Sequence, residues 1–177
     1  MEINKVSAFE YLLFKLVIWH KEVTNEEQND ISVLKALKLL FFVSAANTDE
    51  SGETLLDTVF NEFVAMPYGH VESDVYENIK NRLHSNIIID RRSTTIIDTF
   101  SDENLDKEIR SKIDSNIQAL KENNNKIIKY SSFELVDLSH TWYSWKYYFS
   151  KAKESNINSH IIPLSVIKKE DKFFSLA

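Results

Sequence analysis

Val33-Leu34-Lys35-Ala36-Leu37-Lys38-Leu39-Leu40-Phe41-Phe42-Val43 leaves little polar surface except at Lys35 and Lys38. A segment apolar almost all round reads as a helix at the centre of the molecule. On its N-terminal side a polar stretch, residues 21–30, separates it from Phe9, Leu12, Leu13, Leu16, Val17 and Trp19, whose spacing predicts a well-buried first helix. On its C-terminal side, beyond a polar loop over 47–52, Leu56, Val59, Phe60, Phe63 and Val64 follow the i, i+3, i+4, i+7, i+8 rule. They predict a third amphipathic helix ending near Ala65. The turn Met66-Pro67-Tyr68-Gly69-His70 stops it, because proline keeps its predecessor out of helical geometry and Gly69 accepts a positive φ. A fourth helix is expected from Val71, with Glu72 and Asp74 at its positive end and Val75, Tyr76, Ile79 and Leu83 inward.

Farther along, the period changes. Ile87-Ile88-Ile89, the polar Asp90-Arg91-Arg92-Ser93 and then Thr94 to Ile97 read as two short strands joined by a solvated turn. Leu105, Ile109, Ile113, Ile117 and Leu120 form a narrow stripe, as on a peripheral helix that Asn123-Asn124-Asn125 ends. Ser131 with Glu134 makes a capping box ahead of a short helix. Trp142, Trp145, Phe149 and Ala152 then line one face of another helix, leaving Lys146, Lys151 and Lys153 to solvent, and a last helical turn begins near Pro163. The expected fold is mainly α: a compact single domain of about six to seven helices with a small two-stranded β-hairpin, spanning residues 1–177.

Composition narrows the chemistry. The 177 residues include no cysteine, two glycines and two prolines; 43% are hydrophobic and 27% charged. A chain of this size and apolarity buries a real core. Without cysteine there is no disulfide framework, thiolate nucleophile or cysteine-bound metal, and two glycines do not build a phosphate loop or a dinucleotide fingerprint. No cofactor is called for. Twenty-seven acidic against 21 basic residues give a net charge of −6, which disfavours nucleic acid and anionic membrane and favours a basic partner. The absence of a basic start, a signal-like apolar run or a spanning segment of roughly 20 residues points to the cytoplasm.

Histidine is the remaining group for catalysis or metal binding. His20 and His84 end helices and lack a second histidine at i+3 or i+4, so capping explains them; His160 has no companion. His70 and His140 each sit in a turn beside an aromatic residue, Tyr68 and Trp142, and can be drawn lining one pocket as the acid and base of a small enzyme. Against that, His140 closing a turn by bonding to backbone is the simpler account, and no glycine-flanked elbow marks Ser139 as a nucleophile. Trp142 and Trp145 read as core. Tyr143, Tyr147 and Tyr148 exceed what one helix face buries, so an aromatic interface is expected there.

Two segments together resemble a known family. The first is Lys38-Leu39-Leu40-Phe41-Phe42 followed by the run Phe63 to Tyr76 through Pro67-Tyr68-Gly69-His70-Val71; the second is Leu135-Val136-Asp137-Leu138-Ser139-His140 with Trp145. Their order and separation resemble the Panacea domain, the SocA-like antitoxin family first noticed in phage-associated and mobile-element proteins of the GepA group. Tyr68, Gly69, Val71, Tyr76, Ser139, His140 and Trp145 keep the pattern. Met66 stands where the family commonly has tryptophan and His70 where it has proline, which marks a divergent member.

The resemblance implies a mostly helical protein that neutralises a cognate toxin by direct binding, in some cases as an adaptor for an ATP-dependent protease, with no catalytic residues and no metal. The physical roles of the residues themselves assign Pro67, Gly69, Val71, Tyr76, Ser139 and Trp145 to scaffold, and a family signature need not be a binding surface. The partner-binding face is expected near the turn and the Trp142 helix, at Tyr68, His70, His140, Trp142, Tyr143 and Tyr147. The acidic balance suits a basic toxin. A DNA-binding regulator is a third reading; it predicts a basic helix face, which none of the expected helices has.

Overall fold

The computed structural model describes residues 4–48, 50–98 and 100–177. Helix α1 (Lys5–Thr24) opens where the Asn4 side chain accepts from Ser7 N at 3.1 Å and ends at Asn25 in the left-handed region. Its apolar face, Phe9, Leu12, Leu13, Leu16 and Trp19, is buried. Helix α2 (Val33–Ala45) is enclosed on all sides, and every residue from Lys35 to Ala45 is buried. The two lysines expected to reach solvent do not: Lys35 folds onto Asp30 at 2.7 Å, and Lys38 stays inside.

The third expected helix is shorter than its periodicity suggests. Only α3 (Leu55–Thr58) is helical, opened by a capping box between Thr54 and Asp57. Val59 leaves helical geometry, and Phe63–Met66 forms strand β1, its residues alternating between buried and half-buried. Leu56, Val59 and Phe60 pack inward as the helical pattern requires, but Phe63 and Ala65 do so with the period of a strand. Strand β2 (Gly69–Glu72) pairs antiparallel with β1 across the two-residue tip Pro67-Tyr68, matching Val64 with Val71 and Ala65 with His70. Val71 is therefore a strand residue, and α4 (Ser73–Lys80) starts two residues later than expected, with Glu72 accepting from Val75 N at 2.8 Å as its N-cap. Val75 packs inward; Leu83 lies beyond the helix and is exposed.

Strands β3 (Ile87–Ile89) and β4 (Thr94–Ile96) form the expected hairpin, with Asp90 Oδ1 accepting from the backbone of Arg92 and Ser93. Helix α5 (Lys107–Asn124) buries its predicted stripe against α1 and α2. Helices α6 (Ser132–His140) and α7 (Tyr143–Glu154) follow, α6 opened by the Ser131–Glu134 capping box. Strand β5 (His160–Ile161), which the sequence pattern does not reveal, pairs with the free edge of β1, and α8 (Leu164–Lys169) follows Pro163. Among the described residues there are thus eight α-helices, a three-stranded sheet of order β2-β1-β5 against which α2, α4, α6 and α7 pack, and a separate hairpin. The fold is mainly α, as expected. No helix among the described residues is long and apolar enough to cross a membrane.

One buried carboxylate ties α1 to the segment ahead of β3. Glu10 accepts from Ser85 N at 2.9 Å, Asn86 N at 3.0 Å and Asn86 Nδ2 at 2.8 Å, with His84 Nδ1 3.7 Å away. Burial pushes its pKa up, but His84 and these donors outweigh it and hold the carboxyl at about 2. A depressed carboxyl stabilises the fold above its ordinary value of 4.5, and that contribution is lost as pH falls towards about 2. Glu10→Gln keeps the shape but not the charge. It should cost about 1.5–3 kcal/mol at neutral pH, as for hydrogen bonds to a charged group, and flatten the acid limb of a urea-denaturation series.

Candidate functional site

The site is built around the β1–β2 turn. Gly69 has φ +99°, and a Cβ there would stand 2.9 Å from Ser139 Cβ and 3.3 Å from Lys38 Nζ. The missing side chain lets α6 and α2 close on the turn. His70, the next residue, is fully buried and lies flat on Phe41 at 3.6 Å between ring centroids and 7° between planes. Its backbone N–H donates to Ser139 Oγ at 3.0 Å, Nδ1 lies 2.7 Å from the same oxygen, and Nε2 lies 2.7 Å from Ser144 Oγ.

With Glu170 ionised, these contacts assign one tautomer. Ser144 Oγ donates its proton to Glu170 Oε1 at 3.1 Å, so it accepts from His70 Nε2–H. Ser139 Oγ accepts the His70 backbone N–H and has its own proton left to give, so it donates to an unprotonated Nδ1. His70 is neutral with both ring nitrogens used. Burial first, then the nearby Lys38 and His140, holds its pKa well below the ordinary histidine value.

Two charged groups bracket this network. Lys38 Nζ donates to the His70 carbonyl, and no carboxylate lies within salt-bridge reach of it among the described residues. Burial alone brings it down to about 7. At the outer end Glu170 accepts from Ser144 N at 3.2 Å in the first turn of α7, a favourable place for a carboxylate. Burial raises Glu170 to about 7 in spite of those donors.

His140 and Trp145 hold the tip of the hairpin from outside. The half-buried His140 places Nε2 3.1 Å from Pro67 O and stacks on Trp145 at 3.7 Å; Trp145 Nε1 donates to Met66 O at 2.8 Å. His140 thus closes a turn by bonding backbone, and burial, its largest influence, lowers its pKa. The two histidines do not line one pocket: His70 is sealed against Phe41 while His140 faces the tip carbonyl.

Of the residues expected at a partner face, Tyr68, Tyr143 and Tyr147 are exposed, His140 is half-buried, and His70 and Trp142 are not at the surface at all. Trp142 caps α7, donates Nε1–H to Phe173 O at 3.0 Å and packs among Phe41, Phe42 and Phe174. Both are interior supports. Pro67, Gly69, Val71, Ser139 and Trp145 form or hold the turn, and Tyr76 packs half-buried on α4.

Three exposed aromatic groups remain. Tyr68 meets Phe133 edge to face at 6.5 Å, Tyr143 stacks on Tyr147 at 5.6 Å, and Phe173 shares a cleft of about 490 Å³ with Tyr143. Phe133 and Phe173 were not among the expected contacts; neither lies in a run whose period distinguishes exposed from buried. His20 and His84 are also interior rather than capping, His20 Nε2 being 3.3 Å from Asp30 and the His84 ring 5.4 Å from Phe9. His160 sits on β5, its Nδ1 2.7 Å from Ile161 O.

Residues 37–146 match the family model described as "Antitoxin SocA-like, Panacea domain". No curated protein and no solved structure matches the chain. The family match covers more than half of the residues, and the chain belongs to this family.

Proposed function

We propose that this SocA-like family member is an antitoxin that neutralises a toxin protein by covering it with the aromatic surface formed by Tyr68, Phe133, Tyr143 and Tyr147, with His140 beside them. The observation that carries this reading is the stacked, exposed pair Tyr143–Tyr147 on α7. Large aromatic side chains with few rotatable bonds bind a partner at small entropic cost. The buried turn supports them: Gly69, His70, Ser139 and Ser144 lock the hairpin to α6 and α7, so the surface is presented on a rigid base. Masking needs no cofactor. Delivery to an ATP-dependent protease would use the same face for the toxin and a second one for the protease. The setting is the cytoplasm, and the net charge of −6 draws a basic toxin at long range. An enzymatic role for His70 and His140 lacks a shared pocket.

The test is co-expression with the product of the neighbouring reading frame. The wild-type chain should relieve the growth arrest that this product causes, and purified Tyr143→Ala/Tyr147→Ala should bind it at least roughly tenfold more weakly, as expected for loss of two aromatic anchors. Both tyrosines are exposed, so circular dichroism should show an unchanged fold. A double variant that binds and neutralises like the wild type overturns the assignment of the face.

A further inference from the structure

Charge is distributed very unevenly along the chain. Residues 126–177 hold eight basic and five acidic side chains, whereas residues 1–125 hold thirteen basic and twenty-two acidic. The excess of lysine coincides with the exposed aromatic helix. On α7 the outward positions, three, four and seven residues apart, are Tyr143, Lys146, Tyr147, Ser150, Lys153 and Glu154. Lys151 lies beside them with Nζ 5.5 Å from the Tyr147 ring centre, and its ion pair with Glu154 at 3.3 Å cancels the one acidic group on this face. Among the described residues Lys146 makes no ion pair, and Lys153 rests on Phe149 at 5.0 Å. Two stacked rings are therefore flanked by cations on an otherwise acidic protein.

At the N-terminal end of α7 the cleft shared by Tyr143 and Phe173 continues this stripe. Its carboxylates are Glu170, turned inward onto Ser144, and Asp171; Lys146 and Lys169 stand at its rim. Salt at physiological strength screens charges beyond about 8 Å, so a bound partner meets these lysines and not the acidic residues of the far side. The chain's net charge and the local charge of this face thus favour different chemistry.

We infer that the α7 face receives an acidic amphipathic segment of the partner protein, whose apolar side chains lie on Tyr143 and Tyr147 and whose carboxylates meet Lys146 and Lys153. This rests on the antitoxin reading for the identity of the partner, and it adds the local charge that the partner must carry. Rim charges of this kind act mainly on encounter rate and on the choice between partners.

Two fluorescent helical peptides with the same apolar stripe, one flanked by glutamates and one by lysines, test it by anisotropy. At about 0.1 M salt the glutamate peptide should bind roughly tenfold more tightly, and the preference should shrink at about 0.5 M salt. Lys146→Glu/Lys153→Glu, both at exposed positions, should abolish or reverse it. Equal or tighter binding of the lysine peptide, no binding of the glutamate peptide, or tighter binding of labelled oligothymidylate overturns the inference. If the product of the neighbouring reading frame loses affinity for the tyrosine double variant yet binds the charge-reversed variant unchanged, the antitoxin face stands and the acidic-segment inference falls.

Discussion

Gly69→Ala should be the most damaging single-methyl change in the molecule. Two independent costs meet at this position. The backbone φ of +99° lies where L side chains are strained, on the order of 1–3 kcal/mol. The added Cβ would also press on Ser139 at 2.9 Å to Cβ, in a region where α6 cannot yield without moving His70, because Ser139 Oγ holds both its backbone and its ring. Overpacking of a tight core adds about 1–3 kcal/mol. Together they amount to roughly 3–5 kcal/mol out of a typical total of about 5–15. For a domain of this size the melting temperature should fall by about 10 °C or more, read by circular dichroism. A melting curve within about 2 °C of the wild type would show that the hairpin and α6 can separate freely, and the rigid-base account would fail.

The second large effect concerns Lys38. A base whose pKa is lowered on folding binds more protons in the unfolded chain. The folded state therefore gains stability as pH rises from about 7 to the ordinary value of 10.5, and bears the full cost of the buried ammonium below about 7. The swing is on the order of a few kcal/mol. Lys38→Met removes the charge but also the donor to the His70 carbonyl. At pH near 6 the loss of the charge should prevail and the variant should be more stable by roughly 1–3 kcal/mol; near pH 10 the advantage should vanish, since a neutral amine still donates. Glu170 acts in the opposite sense over a lower range: raised to about 7, it makes stability fall as pH climbs from 4.5 towards 7. Lys35 and Lys172 are also lowered, so the diagnostic quantity is the difference between wild type and variant. Parallel stability curves from pH 6 to 10 would mean that Lys38 reaches water.

What could be read from the sequence was local. Ser131 and Glu134 are three residues apart and cap their own helix, Gly69 declares its turn by scarcity, and Ile87 to Ile96 contains its whole hairpin. Leu56 to Val64 misled because its spacing satisfies a helix while Phe63 and Ala65 also satisfy a strand, and what holds the strand is pairing on both edges, with β2 across the Pro67-Tyr68 tip and with Ile161 near the other end of the chain. Lys38 invited a solvent-facing reading because a lysine's long stem ordinarily carries its ammonium outward. The exposed Tyr143 and Tyr147 were visible as an excess of aromatics over one helix face. The His70–Ser139–Ser144–Glu170 network was not, for its members come from four separate elements and share no spacing.

The pairing of β1 with β5 also sets an order of events during protein synthesis. β1 and β2 can join as soon as both have been made, but β5 and the Phe173–Phe174 segment that supports Trp142 are translated some hundred residues later. A nascent chain therefore carries its hairpin for most of its translation without a finished aromatic surface. Only when these late residues have left the ribosome can Trp142 gain its support and the rings of α7 take their final places, so a chain cut short before Phe173 should keep its hairpin and lose that order.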